Sequence, residues 1–307
     1  MKKQSGFEKF FPGEKKGAAK KEQFRQEKKK ITKERKEFFE KKRVEARGTS
    51  AAPGATAKGP EIKRTAAEKM PLNKYMAHSG VCSRRDAVDI IKSGKVKVNK
   101  EVVTEPGLKI NPTDEVIVNG KKIQPVKDLV YILLNKPKDY ITTTDDERGR
   151  KTVLDLIRKA TDTKVYPVGR LDRNTSGVLL FTNDGELTQK LTHPSNEIKK
   201  VYAVTLDKPL TAADFEKIVQ GVQLEDGLAK VDAIGYPDPK NKMEVGVEIH
   251  SGKNRIVRRI FEHLKYDVKN LDRVIFAGLT KKNVDRGKWR FLTEKEVRDL
   301  KYFKRGK

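Results

Sequence analysis

Apolar residues fall into helical and strand-like periods only from about Met70 onward. Between Pro71 and Gly80, Leu72, Tyr75 and Met76 share helical spacing, and the glycine supplies a stop. Ser83-Arg-Arg-Asp86 has the form of a capping box, in which a hydroxyl and a carboxylate reciprocally satisfy the first backbone amides. The helix it opens carries Ala87, Val88, Ile90 and Ile91 and stops at Gly94. Residues 95–100 and 115–120 alternate with period two, which predicts half-buried strands with lysines or polar residues outward. These elements predict a compact helix-helix-hairpin unit with Arg84 and Arg85 projecting from a helix N-terminus.

A second region, 128–307, mixes the two periods. Val130–Leu134 reads as an apolar strand followed by a proline-punctuated loop over 135–140, and 142–149 as a polar, mobile loop. Short helices are expected from Thr152 to Ile157 and from Gly185 to Leu191, and a longer one from Thr211 to Val219 that ends at Gly221. Strands are expected at 200–206, 229–234, 243–249, 271–277 and 288–292. Residues 251–264 read as a basic helix entered through Gly252, with Ile256, Ile260 and Leu264 on one face and Arg255, Arg258 and Arg259 beyond it. Thr293 to Leu300 carries a capping box and the last helix. Without strict strand-helix alternation, the expected fold is α+β: the small module followed by a mixed, mainly antiparallel sheet.

The densest pattern lies between Tyr166 and Gly185. Asp172 stands between Arg170 and Arg173, then Asn-Thr-Ser-Gly turn chemistry leads into the apolar run Val178–Phe181, too short for a helix and so a buried strand. Two readings fit the spacing. Asp172 is either a turn carboxylate satisfied by its neighbouring arginines or a carboxylate held against a core strand for chemistry.

Charge narrows the partner. The 69 Lys and Arg against 43 Asp and Glu leave a formal charge of +26. Such an excess predicts a polyanionic partner, because each phosphate neutralised releases a condensed counterion. No apolar run approaches the roughly 20 residues of a membrane-spanning helix, and the N-terminus lacks the apolar core of a signal peptide. The single cysteine, Cys82, leaves no intramolecular disulfide and no Cys-rich zinc cluster, so a reducing, cytoplasmic compartment is expected; a monomer is expected as well. Residues 1–68 alternate basic runs with glutamates and are too poor in apolar residues to offset the ordering entropy of a fold. That tail is expected to be disordered, serving either for electrostatic attachment to RNA or simply for solubility.

Several chemistries are excluded by their motifs. The chain has no Gly-x-Gly-x-x-Gly after a strand, and Ser251-Gly-Lys-Asn lacks the first glycine and the hydroxyl of a phosphate-binding loop. His-Glu-x-x-His is absent and four histidines are scattered singly, so no metal is expected. Ser176 lacks the leading glycine of a nucleophile elbow.

What the chain does carry resembles two known modules. Leu72-Asn-Lys-x-Met-Ala-x-x-Gly-x-Cys-Ser-Arg-Arg-Asp-Ala, followed by Ile91-x-x-Gly-x-Val-x-Val-Asn, resembles the small RNA-binding module named after ribosomal protein S-four. In that family the Ser-Arg-Arg helix start faces structured RNA, which implies RNA contacts for Arg84 and Arg85. A helix N-terminus with two arginines is suited to phosphate. Val168-Gly-Arg-Leu-Asp-x-x-Thr-Ser-Gly-x-Leu-Leu-x-Thr-Asn-Asp-Gly-Glu, with Lys200-x-Tyr-x-Val and Gly252-Lys-Asn-Arg-x-Val-Arg-Arg, resembles the three ordered motifs of pseudouridine synthases of the RsuA-like rRNA branch.

The second resemblance implies a cofactor-free isomerisation of a uridine in ribosomal RNA or a pre-ribosomal particle: the glycosidic bond breaks, the uracil rotates, and carbon five rejoins the ribose. It implies Asp172 as the catalytic aspartate, and Tyr202 stacked on the flipped uracil and helping to remove the carbon-five proton. Arg258 would be the basic partner that keeps Asp172 ionised. Arg170 is a candidate for an RNA phosphate or the vacated base stack, and Lys253, Asn254 and Arg255 for further RNA contacts. Ile256 departs from the polar residue many relatives carry. The expected division is a basic tail over 1–68, an S-four-type module over 69–127 and a catalytic domain over 128–307.

Overall fold

The computed structural model describes residues 69–126, 128–144 and 146–302. The expectations for residues 1–68 therefore lie outside the described residues.

The first elements follow their local signals. Helix α1 spans Leu72–His78 and buries Leu72, Tyr75 and Met76. Helix α2, Arg84–Lys92, forms both halves of its capping box: Ser83 Oγ accepts from the Asp86 amide, and the Asp86 carboxylate accepts from the Ser83 amide. Strands Val96–Val98 and Val116–Val118 pair antiparallel. They form the middle of a four-stranded sheet completed by Glu101–Val102 and Lys121–Ile123, two short edge strands that sequence reading omits. One apolar cluster built on Leu72, Met76, Ala87, Ile91, Val96 and Val116 holds this module together. It rests on the rest of the chain through a Lys74–Glu186 ion pair of 3.1 Å and a 2.9 Å bond from Lys164 Nζ to the Val81 carbonyl.

Beyond residue 130 the chain builds a nine-stranded sheet. Its strands are β1 (Tyr131–Lys136), β2 (Tyr166–Pro167), β3 (Ser176–Thr182), β4 (Lys200–Leu206), β5 (Ala233–Gly235), β6 (Glu244–Ile249), β7 (Val268–Phe276), β8 (Leu279–Thr280) and β9 (Trp289–Phe291). The order is β5-β6-β4-β7-β3-β1-β9, with β8 beside β7 and β2 beside β3. Within this sheet every pairing is antiparallel except β7 with β3, where Asp272 and Arg273 lie opposite Ser176 and Gly177. This is the expected mainly antiparallel α+β architecture.

The parallel seam divides the core. On one side, β1 and β3 are covered on both faces: Leu133, Val178 and Leu180 belong to one cluster and Ile132, Leu134, Leu179 and Phe181 to another. This is why both strands read as continuous apolar runs. On the other side, Val204, Leu206, Val245 and Val247 pack against Ile256, Val257, Ile260 and Phe261 of helix α3 (Ile256–His263). Tyr202 touches both cores and so sits between them. Gly177 makes the seam close. Its φ is +111°, and a Cβ there would lie 2.1 Å from the Arg273 carbonyl oxygen.

Three local expectations change. Residues 229–234 are not one strand, because Gly227–Ala229 closes a hairpin with Val222–Leu224 while Ala233–Gly235 joins the main sheet. The loop expected over 135–140 begins late, since β1 continues through Lys136. The basic helix starts at Ile256 rather than after Gly252, because Arg255 takes a left-handed conformation (φ 48°) that turns the chain sharply. Residues 251–255 are therefore loop. Among the described residues no helix is long and apolar enough to cross a membrane.

Candidate active site

The site forms above the seam, where the turn leading into β3 faces the middle of β4. A cavity of ≈ 600 Å³ there is lined by Arg170, Asp172, Lys200, Tyr202, Lys253, Asn254, Arg255, Ile256 and Arg273, among others. Sequence motifs 30 to 80 residues apart thus converge on one opening. Arg84 and Arg85 are not part of it. They stand exposed on the N-terminal module.

Asp172 is not satisfied by its neighbouring arginines. Arg173 pairs instead with Asp139 at 3.3 Å, and among the described residues no ion pair involves the Asp172 carboxylate. The carboxylate is half-buried in the cavity wall, and Arg170 is exposed at its rim.

The backbone beneath that carboxylate is fixed from several directions. Thr142 Oγ1 donates to the Leu171 carbonyl at 2.8 Å. Lys136 Nζ donates to the carbonyls of Asp172, Arg173 and Thr175 at 3.0, 3.2 and 2.8 Å, and to that of Pro137 at 3.1 Å. Arg258 Nη2 donates to the Asn174 carbonyl at 3.1 Å. All five carbonyls from Leu171 to Thr175 therefore accept a side-chain donor, which removes the freedom a turn would otherwise keep.

Lys136 was invisible to sequence reading. It is fully buried, an unusual place for lysine. Burial pushes its ammonium down to about 8, while Asp172 and Asp139 act in the opposite direction. A lysine ending an apolar strand immediately before Pro137 was the available signal, but its meaning depends on carbonyls some 36 residues later.

Arg258 lies elsewhere than expected on its helix. It does not stand beyond the apolar face but is itself buried, 8 % exposed, with Nη1 on the Val268 carbonyl at 3.0 Å. Burial lowers it from its ordinary value, followed by Arg255, and the nearby Asp172 charge opposes that shift. Its contact with the aspartate is therefore electrostatic and through the turn backbone, not a direct ion pair.

The loop 251–255 forms the far wall. Lys200 Nζ donates to the His250 carbonyl at 2.6 Å and to that of Ser251 at 3.3 Å. Its ammonium is pushed down to about 8 by burial and then by Arg273. Lys253 Nζ donates to the Asp226 carbonyl at 2.7 Å, Arg255 pairs with Glu262 at 3.1 Å, and Arg259 holds the Asp226 carboxylate. Lys253, Asn254 and Arg255 remain exposed at the rim. Ile256 is 6 % exposed and belongs to the α3 core, so this departure from the polar residue of many relatives is a packing residue as well as a wall of the cavity.

A carboxylate on a braced turn, a tyrosine facing the same cavity and a cationic rim suit acid-base or nucleophilic work on an anionic polymer. The family model described as RNA pseudouridylate synthase matches residues 130–263, and the S4 domain model matches residues 70–116. Over 233 residues, 75 % of this chain, the sequence is 41 % identical to ribosomal large subunit pseudouridine synthase B of Bacillus subtilis (strain 168), covering 95 % of that protein. The chain belongs to the RNA pseudouridylate synthase family. Over 237 residues it is also 36 % identical to the dual-specificity RNA pseudouridine synthase RluF of Escherichia coli (strain K12), covering 77 % of that synthase. A crystal structure of a pseudouridylate synthase superposes with a TM-score of 0.52 at 26 % identity, covering 75 % of this chain and 99 % of that one. This synthase carries its S4 domain ahead of the catalytic sheet, and RNA is its substrate class.

Proposed function

We propose that the protein isomerises a specific uridine of ribosomal RNA to pseudouridine, with Asp172 as its catalytic aspartate. The observation that carries this reading is the braced turn. Asp172 has its backbone clamped and, among the described residues, no ion pair on its carboxylate, in the same cavity as Tyr202. The names of the relatives, synthases of the large ribosomal subunit among them, support ribosomal RNA as the substrate.

In this mechanism the target nucleotide leaves its stack, at a cost of a few kcal/mol. Phosphate contacts by Arg84 and Arg85 on the N-terminal module, and by Lys253, Asn254 and Arg255 at the rim, offset that cost. Arg170, exposed beside Asp172, meets a phosphate or fills the vacated stack. The uracil enters against Tyr202, whose ring offers a stacking face and whose hydroxyl reaches the reacting edge. Asp172 acts at the ribose, and Arg258, buried under the turn, orients it through the Asn174 carbonyl. No cofactor or metal takes part. We assign residues 69–127 to RNA binding and 128–307 to catalysis, and we expect a cytoplasmic monomer.

The test is Asp172→Asn. The variant should bind RNA with wild-type affinity and leave one uridine unmodified in a pseudouridine map of ribosomal RNA from cells carrying only that variant. Retained modification at every site would overturn the assignment.

A further inference from the structure

The cavity floor holds a guanidinium that the scheme above does not use. Arg273 lies on β7 directly opposite Tyr202 of β4, so the two side chains share a face of the sheet. It is 2 % exposed yet lines the cavity. Its Nε donates to the Val178 carbonyl at 2.9 Å, and its Cζ stands 4.5 Å from the centre of the Phe276 ring. Its Nη2 is buried and has no hydrogen-bond partner.

A buried cation with an unused donor is costly and calls for an anion. A backbone phosphate is a poor match. At 2 % exposure Arg273 lies below the rim, where the exposed Arg170, Lys253 and Arg255 meet phosphates first. The phenol of Tyr202 is the better match. Burial pushes the Arg273 guanidinium down, and Tyr202 is the group that pushes it back up. A second cation, Lys200, stands two residues from Tyr202 on the same strand and lines the same cavity.

We propose that Arg273 is a positioning residue for Tyr202, holding the phenolic oxygen and stabilising the negative charge it carries when it takes the carbon-five proton of the uracil. This role rests on the one given to Tyr202 above. After carbon five has bonded to the ribose it still bears its hydrogen. The Tyr202 phenolate takes that hydrogen as a proton, and the electron pair of the C–H bond forms the ring's C5–C6 double bond. The π pair of the C6=N1 double bond, formed when carbon five joined the ribose, moves onto N1, which is protonated from water, and the phenol returns its proton to the solvent. Protons and electrons balance, and no oxidant or metal enters. A fixed guanidinium beside the phenolic oxygen balances the charge developing there without reorganising during the step.

The test uses the full chain and an RNA substrate made with either ordinary uridine or uridine deuterated at carbon five. Arg273→Met should lower kcat about 100- to 1000-fold, the effect of removing one preorganised donor. Its KM should stay near the wild-type value, and a deuterium effect on kcat should be larger than in wild type. Arg273→Lys should recover part of the rate, because it keeps the charge without the planar fork. In a Tyr202→Phe background, Arg273→Met should add little further loss. An isotope effect equal to wild type, or losses that multiply in the double variant, would overturn the inference. Should Arg273→Met fail to fold, as judged by circular dichroism and RNA binding, Arg273→Lys decides the question by the same isotope effect. Failure of the underlying reading would look different: Tyr202→Phe would itself turn over at the wild-type rate.

Discussion

Replacing Lys136 by methionine removes the ammonium that braces the Asp172 turn while keeping similar bulk in the core. Hydrogen bonds from a charged donor contribute about 1.5 kcal/mol each at the low end of their range, so the three N–H groups shared among four carbonyls stand to lose about 4.5 kcal/mol. Against this, methionine avoids the cost of burying a charge. The lysine is held at about 8 rather than 10.5, a difference worth about 3 kcal/mol. The net destabilisation is about 1.5 kcal/mol. Activity should suffer beyond stability, because a turn relaxed by about 1 Å costs on the order of 100-fold in rate. Urea unfolding of wild type and variant gives the first quantity, and single-turnover kinetics under conditions where both are folded gives the second. RNA affinity should hold within about two-fold, since the cationic rim is untouched. A variant with the wild-type urea midpoint and the wild-type rate would refute the bracing role.

Linkage gives an independent check on the same residue. The folded-state value of Lys136, about 8, lies below its ordinary value of 10.5. The unfolded chain therefore binds more protons between those limits, and this group's contribution to stability rises with pH through that window. The penalty is fully present below pH 8. The stability difference between wild type and Lys136→Met should grow by about 2 to 3 kcal/mol from pH 7 to pH 10. A difference that stays flat or shrinks would show that the buried amine keeps its ordinary value.

Three other outcomes follow from the geometry. Gly177→Ala should abolish folding or leave an inactive, loosened sheet, because the added Cβ would collide with the Arg273 backbone at 2.1 Å; circular dichroism and a melting curve check this. Arg84→Ala with Arg85→Ala should weaken RNA binding and flatten its salt dependence, by about 0.7 to 0.9 in the log-log slope for each phosphate no longer neutralised, while leaving the single-turnover rate at saturating RNA unchanged. Deleting residues 1–68 should lower RNA affinity and its salt dependence without changing that saturating rate, and a titration across salt concentrations decides between attachment and mere solubility.

Much of the fold was legible because the relevant signals are local. The 200–206 strand, the helix capped by Thr211 and ended by Gly221, and the Ser83–Asp86 box all match their expected spans closely. Where reading failed, distant partners decided. Residues 229–234 are apolar enough for one strand, but their two ends pair with different partners. The loop before α3 looked helical because nothing nearby announces that Arg255 turns left-handed. The motifs point to Asp172, Tyr202 and Arg258 as candidates, yet not to the packing that gives them context. Lys136 and Arg273 look like an edge lysine and a strand arginine until the fold places each against backbone carbonyls some 36 and 95 residues away.

The cations of the site fall into two groups with different duties. At the rim, Lys253, Arg255 and Arg259 pair with Asp226 and Glu262 in partly exposed bridges. Exposed bridges of this kind contribute about 0–1 kcal/mol, so a phosphate displaces the carboxylate at little cost. At the floor, Lys136, Arg258 and Arg273 are buried and donate to backbone carbonyls of the sheet and the Asp172 turn. No incoming phosphate competes for those bonds, because breaking them means opening the core. The rim can therefore exchange partners as RNA arrives while the floor stays as folded. This separation lets a strongly basic protein bind its polyanion loosely and still keep one carboxylate and one phenol in fixed positions.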